Sequence, residues 1–149
     1  MERLLEIKDL HVQYETDVGV IYAVNGLDIL VNKGETLGLV GETGAGKTTS
    51  ALSVLKLLPD RIGKITSGSI VFDGTDIIHA SETEMLKIRG NKVSMIFQDP
   101  MTSLNPILTV GDQIEEVLKL HRNMPKEERR KQVDAIMEMV GLVAERKTD

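Results

Sequence analysis

An apolar run, Thr36-Leu37-Gly38-Leu39-Val40, leads into Gly41-Glu42-Thr43-Gly44-Ala45-Gly46-Lys47-Thr48 and then Thr49-Ser50-Ala51-Leu52. No other stretch of the chain restricts its folding so tightly. Glycine, four residues, then Gly-Lys-Thr, set between a strand pattern and a helix pattern, is the spacing of a phosphate-binding loop. The glycines permit φ > 0 turns and a close backbone approach, so that the N–H groups at 41–49 face an anion. The following helix adds the partial positive charge of its unpaired first N–H groups. Lys47 is expected to reach the β- and γ-phosphates of a nucleotide, and the Thr48 hydroxyl to hold the accompanying Mg²⁺, a cation that prefers oxygen ligands shared with phosphate.

The rest of the composition limits the function classes. With 41 % hydrophobic and 28 % charged residues, the 149-residue chain reads as globular. It has no cysteine, hence no disulfide framework, thiolate zinc site or cysteine nucleophile. No stretch approaches the roughly 18 apolar residues of a spanning helix, and the charged start at Glu2, Arg3 and Glu6 is neither a signal peptide nor an anchor. A formal charge of −5 argues against nucleic acid as a main partner, because binding to a phosphate backbone needs many Lys and Arg acting together.

Periodicity places the remaining elements. Residues 3–14 and 18–24 read as strands, and 27–31 alternates after Asn25-Gly26, a pair that makes either a tight hairpin or a bulge. Residues 35–40 form the strand that delivers the loop, and a helix over 46–58 stops at Pro59. A short strand at 69–72 turns at Asp73-Gly74, Ser81-Glu82-Thr83-Glu84 caps a helix ending at Gly90, and 92–97 is the next strand. Thr109 and Pro125 open two helices with apolar positions at Ile114, Val117 and Leu118, and at Val133, Ile136, Met137 and Val140. The run Lys126 to Lys131 reads as a solvated helical face.

A phosphate loop alone hydrolyses nothing. Phosphoryl transfer also needs a metal-holding carboxylate on a neighbouring strand and a group that positions water. Asp73 ends an apolar run but precedes Gly74, so it reads as a turn residue; His11, His79 and His121 share no ligand spacing. Gln98, between Phe97 and Asp99-Pro100, has two readings: an ordinary loop glutamine, or a group that orients water or completes an Mg²⁺ shell.

The phosphate loop, Tyr14 upstream, Asn32-Lys33-Gly34-Glu35, the string Met95-Ile96-Phe97-Gln98-Asp99-Pro100-Met101-Thr102-Ser103-Leu104-Asn105-Pro106 and Thr109-Val110-Gly111-Asp112-Gln113-Ile114 together resemble the nucleotide-binding subunit of an ABC transporter. More narrowly, they resemble the subunits that power oligopeptide, dipeptide and nickel importers. The resemblance covers essentially the whole chain, with 95–106 its most specific part. It implies an α/β fold: a P-loop NTPase core of the ABC type with an N-terminal antiparallel β subdomain, together spanning 1–104, and the start of a helical subdomain at 105–149. It implies ATP and Mg²⁺ as ligands. Tyr14 matches the aromatic residue that stacks on adenine, Tyr22 being the fallback, and Gln98 matches the glutamine loop that transmits nucleotide state to the membrane subunits. The site then comprises Gly41, Glu42, Thr43, Gly44, Ala45, Gly46, Lys47, Thr48 and Thr49 around the phosphates, Thr48 and Gln98 toward the metal, and Lys47 and Gln98 in catalysis. The implied partners are a second nucleotide-binding subunit and transmembrane permeases, at the cytoplasmic face of the membrane.

That family continues with a segment resembling Leu-Ser-Gly-Gly, an apolar Walker B strand ending Asp-Glu and a switch histidine, none of which occurs before Asp149. The resemblance therefore implies the N-terminal part of a subunit, an incomplete domain that binds ATP without turning it over. In that family later strands separate 37–40 from 93–97, so both runs are expected to expose apolar edges and to leave the isolated chain marginally stable. Two alternatives stand beside this reading: a non-transport ABC ATPase, such as a repair or translation factor, and a non-catalytic nucleotide-binding module.

Overall fold

The computed structural model describes residues 2–100 and 103–148, so Met101 and Thr102 of the 95–106 string lie outside the described residues. By contact the chain divides into two compact units, Met1–Leu86 and Lys87–Asp149. The first is built on an antiparallel sheet of β1 (Arg3–Thr16), β2 (Gly19–Asn32), β3 (Gly63–Phe72) and β4 (Thr75–Asp76), in the order β2-β1-β3-β4. Helix α1 (Lys47–Val54) packs against β2 and β3. Helix α2 (Glu82–Ile88) follows, opened by the expected capping box: Ser81 N–H donates to Glu84 Oε2 at 2.8 Å, and Glu84 N–H donates to Ser81 Oγ at 3.3 Å.

Three neighbouring strands change face at one level. In β1 the buried positions run Ile7, Leu10, Val12, which strict alternation forbids. The register shifts between Ile7 and Leu10, and Asp9 there takes φ 45°. Opposite it, β2 shifts around Asn25-Gly26, so this pair is a bulge inside one continuous strand and not a hairpin; the hairpin lies at Asp17-Val18. On the other side, a Cβ on Gly68 of β3 would stand 2.4 Å from Asp9 O. Glycine is therefore the side chain that admits the bulged β1, and Gly68 continues the strand where the sequence reading began it at Ser69. Asp28 Oδ1 accepts from Asp9 N–H at 2.7 Å, fixing the bulge on the β2 side. Leu10 and Ile70 are fully buried; burying a side chain of this size contributes about 1.5–3 kcal/mol.

The sheet closes at β4 through Asp73 (φ 46°) and Gly74 (φ 78°), the two-residue turn whose left-handed centre matches strand twist. Just beyond, Asp76 accepts from Ile78 N–H, His79 N–H and the His79 ring. The His79 side chain, then its backbone N–H, holds the Asp76 carboxyl below its ordinary value.

Two expected strands are absent. Residues 35–40 and 94–97 have no strand pairing among the described residues, and Val93 makes only an isolated bridge to Arg89. A strand is defined by the neighbour that takes its N–H and C=O groups, and neither run has one. Val40 and Ile96 are each 93 % exposed, the exposed apolar edges expected for these segments. Helix α1 also ends earlier than expected. Lys56 takes φ 50°, Leu57 N–H bonds Leu52 O at 2.9 Å, and Lys56 Nζ donates to Ile78 O and Ala80 O. The helix is thus stopped by a left-handed Lys56, before Pro59 is reached.

The second unit holds α3 (Val110–His121), α4 (Lys126–Met139) and a closing 3₁₀ turn, Ala144–Thr148. Thr109 Oγ1 caps α3 by accepting from Asp112 N–H at 3.1 Å. Val133 and Met137 are buried on α4. The charged run at its start is not wholly solvated: the half-buried Arg129 donates to Glu115 Oε1 at 3.0 Å and to Met124 O at 2.7 Å. No helix among the described residues is long and apolar enough to cross a membrane.

Candidate phosphate-binding site

The loop 41–46 turns directly into α1. Gly46 is the residue before the helix, with φ 81°, and a Cβ there would lie 2.4 Å from Ala23 O. Glycine is required at this point because β2 passes underneath. The helical ladder starts with Ser50 N–H donating to Gly46 O at 2.8 Å, so the N–H groups of Lys47, Thr48 and Thr49 precede it. The first turn of α1 carries no acidic residue, which leaves the positive end of the helix uncompensated by its own side chains. Buried Ser50 also donates its hydroxyl to Gly46 O, at 2.9 Å, tying the loop to the helix from below.

Lys47 Nζ donates to Gly41 O at 2.5 Å and to Glu42 O at 2.7 Å, and Ala45 N–H closes the loop on Glu42 O at 3.1 Å. The ammonium is therefore held at the mouth of the loop by two carbonyls, where an anion can compete for it. Gly44, Ala45 and Lys47 line a cleft of about 450 Å³ together with Tyr22, Asn25 and Val40. Thr43 and Thr48 are exposed, Thr48 on the second residue of α1.

The two tyrosines are placed differently. Tyr14 is half-buried; its hydroxyl lies 3.1 Å from Thr49 Oγ1, and its ring lies against Gly63, whose Cβ would come within 3.2 Å of it. Tyr22 is 69 % exposed and lines the cleft beside Lys47. Gln98 is exposed and belongs to the second unit, the loop to the first. The structure thus gathers 41–49, Tyr14 and Tyr22 within one unit. The contribution of Ala23 beneath Gly46 was not read from the sequence, although Asn25-Gly26 marked the neighbouring bend.

The sequence model of the family described as "ABC transporter" matches residues 24–149. The chain belongs to the ABC transporter family. Among curated proteins, this ABC chain is 46 % identical over 142 residues to the dipeptide transport ATP-binding protein DppD of Bacillus subtilis, covering 95 % of the chain and 42 % of DppD. It is 48 % identical over 141 residues to the oligopeptide transport ATP-binding protein AppD of the same organism, covering 95 % of the chain and 43 % of AppD. The ABC chain thus spans about two fifths of the length of these relatives. Among solved structures, the dimeric post-hydrolysis ATP-binding cassette MJ0796 bound to ADP and Pi aligns with a TM-score of 0.82 at 26 % identity, over 97 % of this chain and 60 % of that one. This likeness gives the fold: a part of an ABC ATPase cassette, with the antiparallel β subdomain first and helices after.

Proposed function

We propose that this chain is the ATP-binding portion of an ABC importer subunit that energises peptide uptake, and that these 149 residues bind ATP without hydrolysing it. The observation that carries the reading is the loop itself: Lys47 at its mouth, the unpaired start of α1 behind it and no acid in that first turn. The relatives named dipeptide and oligopeptide transport proteins support the solute class. The proposed partners are a second such subunit and a membrane permease at the cytoplasmic face.

The residues present suit Mg²⁺ as a companion of the phosphates. The described residues hold no cluster of three His, Cys, Asp or Glu, so protein carboxylates alone would not retain the ion; the exposed Thr48 hydroxyl would share it with phosphate oxygens. When bound, the ion neutralises charge on the phosphates. Hydrolysis needs in addition a carboxylate that activates water, and no Asp-Glu pair ending an apolar strand occurs here.

Titration calorimetry with ATP and Mg²⁺, paired with a phosphate-release assay, tests both halves. Saturable binding with phosphate release no faster than in buffer is the expected result. Absence of binding overturns the first half, and Lys47-dependent release overturns the second.

The base platform is separable by substitution. We expect Tyr14→Ala to weaken ATP binding about tenfold, the order of one stacked base, and Tyr22→Ala to weaken it less. Competition by adenosine should fall in parallel. The reverse ranking would transfer the platform to Tyr22.

A further inference from the structure

The stretch Ser103 to Leu108 has no helix or strand, and it exposes Leu104, Ile107 and Leu108. Loops of this kind ordinarily open with little free-energy cost. Within the segment, Ile107 N–H donates to Asn105 Oδ1 at 3.0 Å and Leu108 N–H to Asn105 O at 3.2 Å. Its ties to α3 converge on one side chain. Asn105 N–H donates to Gln113 Oε1 at 2.8 Å, and Gln113 Nε2 donates to Asn105 O and Leu108 O at 3.0 Å each, with Thr109 O at 3.4 Å.

We propose that Gln113 is a positioning residue: its amide clamps 103–109 into the conformation that forms one wall of an apolar groove. That wall, with Leu104, Pro106 and Leu108, faces Ile114 and Val117 of α3 and Ile136 of α4 across a cavity of about 940 Å³. An amide suits this task because it offers an acceptor and two donors in one plane, matching the N–H and C=O groups of a peptide. The carbonyls it holds are near water, which can replace the lost bonds; removal therefore costs order more than stability. The α3 cap at Thr109 is independent of it, since Asp112 N–H and Gln113 N–H bond Thr109 Oγ1 and Thr109 O whatever side chain stands at 113. The functional consequence rests on the proposed reading that the segment after Gln98 passes nucleotide state onward.

The test is hydrogen–deuterium exchange on the 149-residue chain, with and without ATP and Mg²⁺, for wild type, Gln113→Met and Gln113→Glu. Methionine keeps the length and removes every bond; glutamate keeps the acceptor for Asn105 N–H and loses the donors. In Gln113→Met the amides of Asn105 and Ile107 should exchange about tenfold faster, with α3, α4 and ATP affinity unchanged. In Gln113→Glu, Asn105 should keep more protection than in Gln113→Met. In wild type, ATP should alter exchange across 103–109, and in Gln113→Met this response should vanish. Unchanged exchange at Asn105 and Ile107, faster exchange throughout α3, or an undiminished ATP response in Gln113→Met overturns the clamp. ATP failing to bind wild type overturns the functional reading instead, and the exchange rates without nucleotide still decide the clamp.

Discussion

Lys47→Ala is expected to lower the chain's affinity for ATP ten- to a hundredfold and to leave adenosine binding unchanged. The ammonium stands between Gly41 O and Glu42 O, 2.5 and 2.7 Å away, at the mouth of the loop. A triphosphate can take over those hydrogen bonds with oxygens that carry the opposite charge; a hydrogen bond to a charged group contributes roughly 1.5–3 kcal/mol, and each 1.4 kcal/mol is about a factor of ten. Removing Lys47 should cost little stability, because both carbonyls sit on exposed residues and water can bond them. A loss of binding accompanied by an unchanged thermal transition is thus the signature of a phosphate contact. Lys47→Arg should not restore affinity: a planar fork replaces the point charge that fits between the two carbonyls. Isothermal titration with ATP and with adenosine reads the difference directly. If Lys47→Ala keeps the wild-type preference for the triphosphate, the assignment of residues 41–49 as a phosphate site is wrong.

What the sequence disclosed about this site follows the range of the interactions that build it. The glycine loop at 41–47, the Ser81–Glu84 box, the Thr109 cap and the Asp73-Gly74 turn all close between residues no more than six apart, and each was legible because its partners are near in the chain. The features that escaped are settled at longer range. Helix α1 stops at Lys56 because its ammonium finds Ile78 O and Ala80 O, more than twenty residues on. The face changes in β1, β2 and β3 answer one another across strands, so Gly68 read alone resembles punctuation when it is an allowance for Asp9 O. Residues 35–40 carry the pattern of a strand, but a pattern supplies no neighbour to pair with, and Leu37, Leu39 and Val40 remain exposed. Tyr14 illustrates the same limit within the site. Its resemblance to an adenine platform was readable, whereas its hydroxyl contact with Thr49, thirty-five residues away, was not.

Gly46→Ala should destabilise the first unit by about 3 kcal/mol or more and abolish nucleotide binding, while Gly44→Ala should cost only about 1–2 kcal/mol. The two glycines have nearly the same backbone, φ 81° at Gly46 and 84° at Gly44, so the left-handed penalty is shared. They differ in surroundings. A Cβ at 44 meets nothing within 4 Å, whereas at 46 it would stand 2.4 Å from Ala23 O and 3.2 Å from Val24 Cγ2. Ala23 cannot retreat freely, because β2 is held along its length by β1 and Val24 is buried in the sheet. The helix start would have to move instead, carrying with it the N–H groups of Lys47, Thr48 and Thr49, which the proposed function assigns to phosphate. Urea titration of the two variants, with ATP binding measured alongside, separates backbone preference from contact. Equal losses in both variants would mean that β2 does not support the loop, and that the phosphate site depends on the chain's local turn alone.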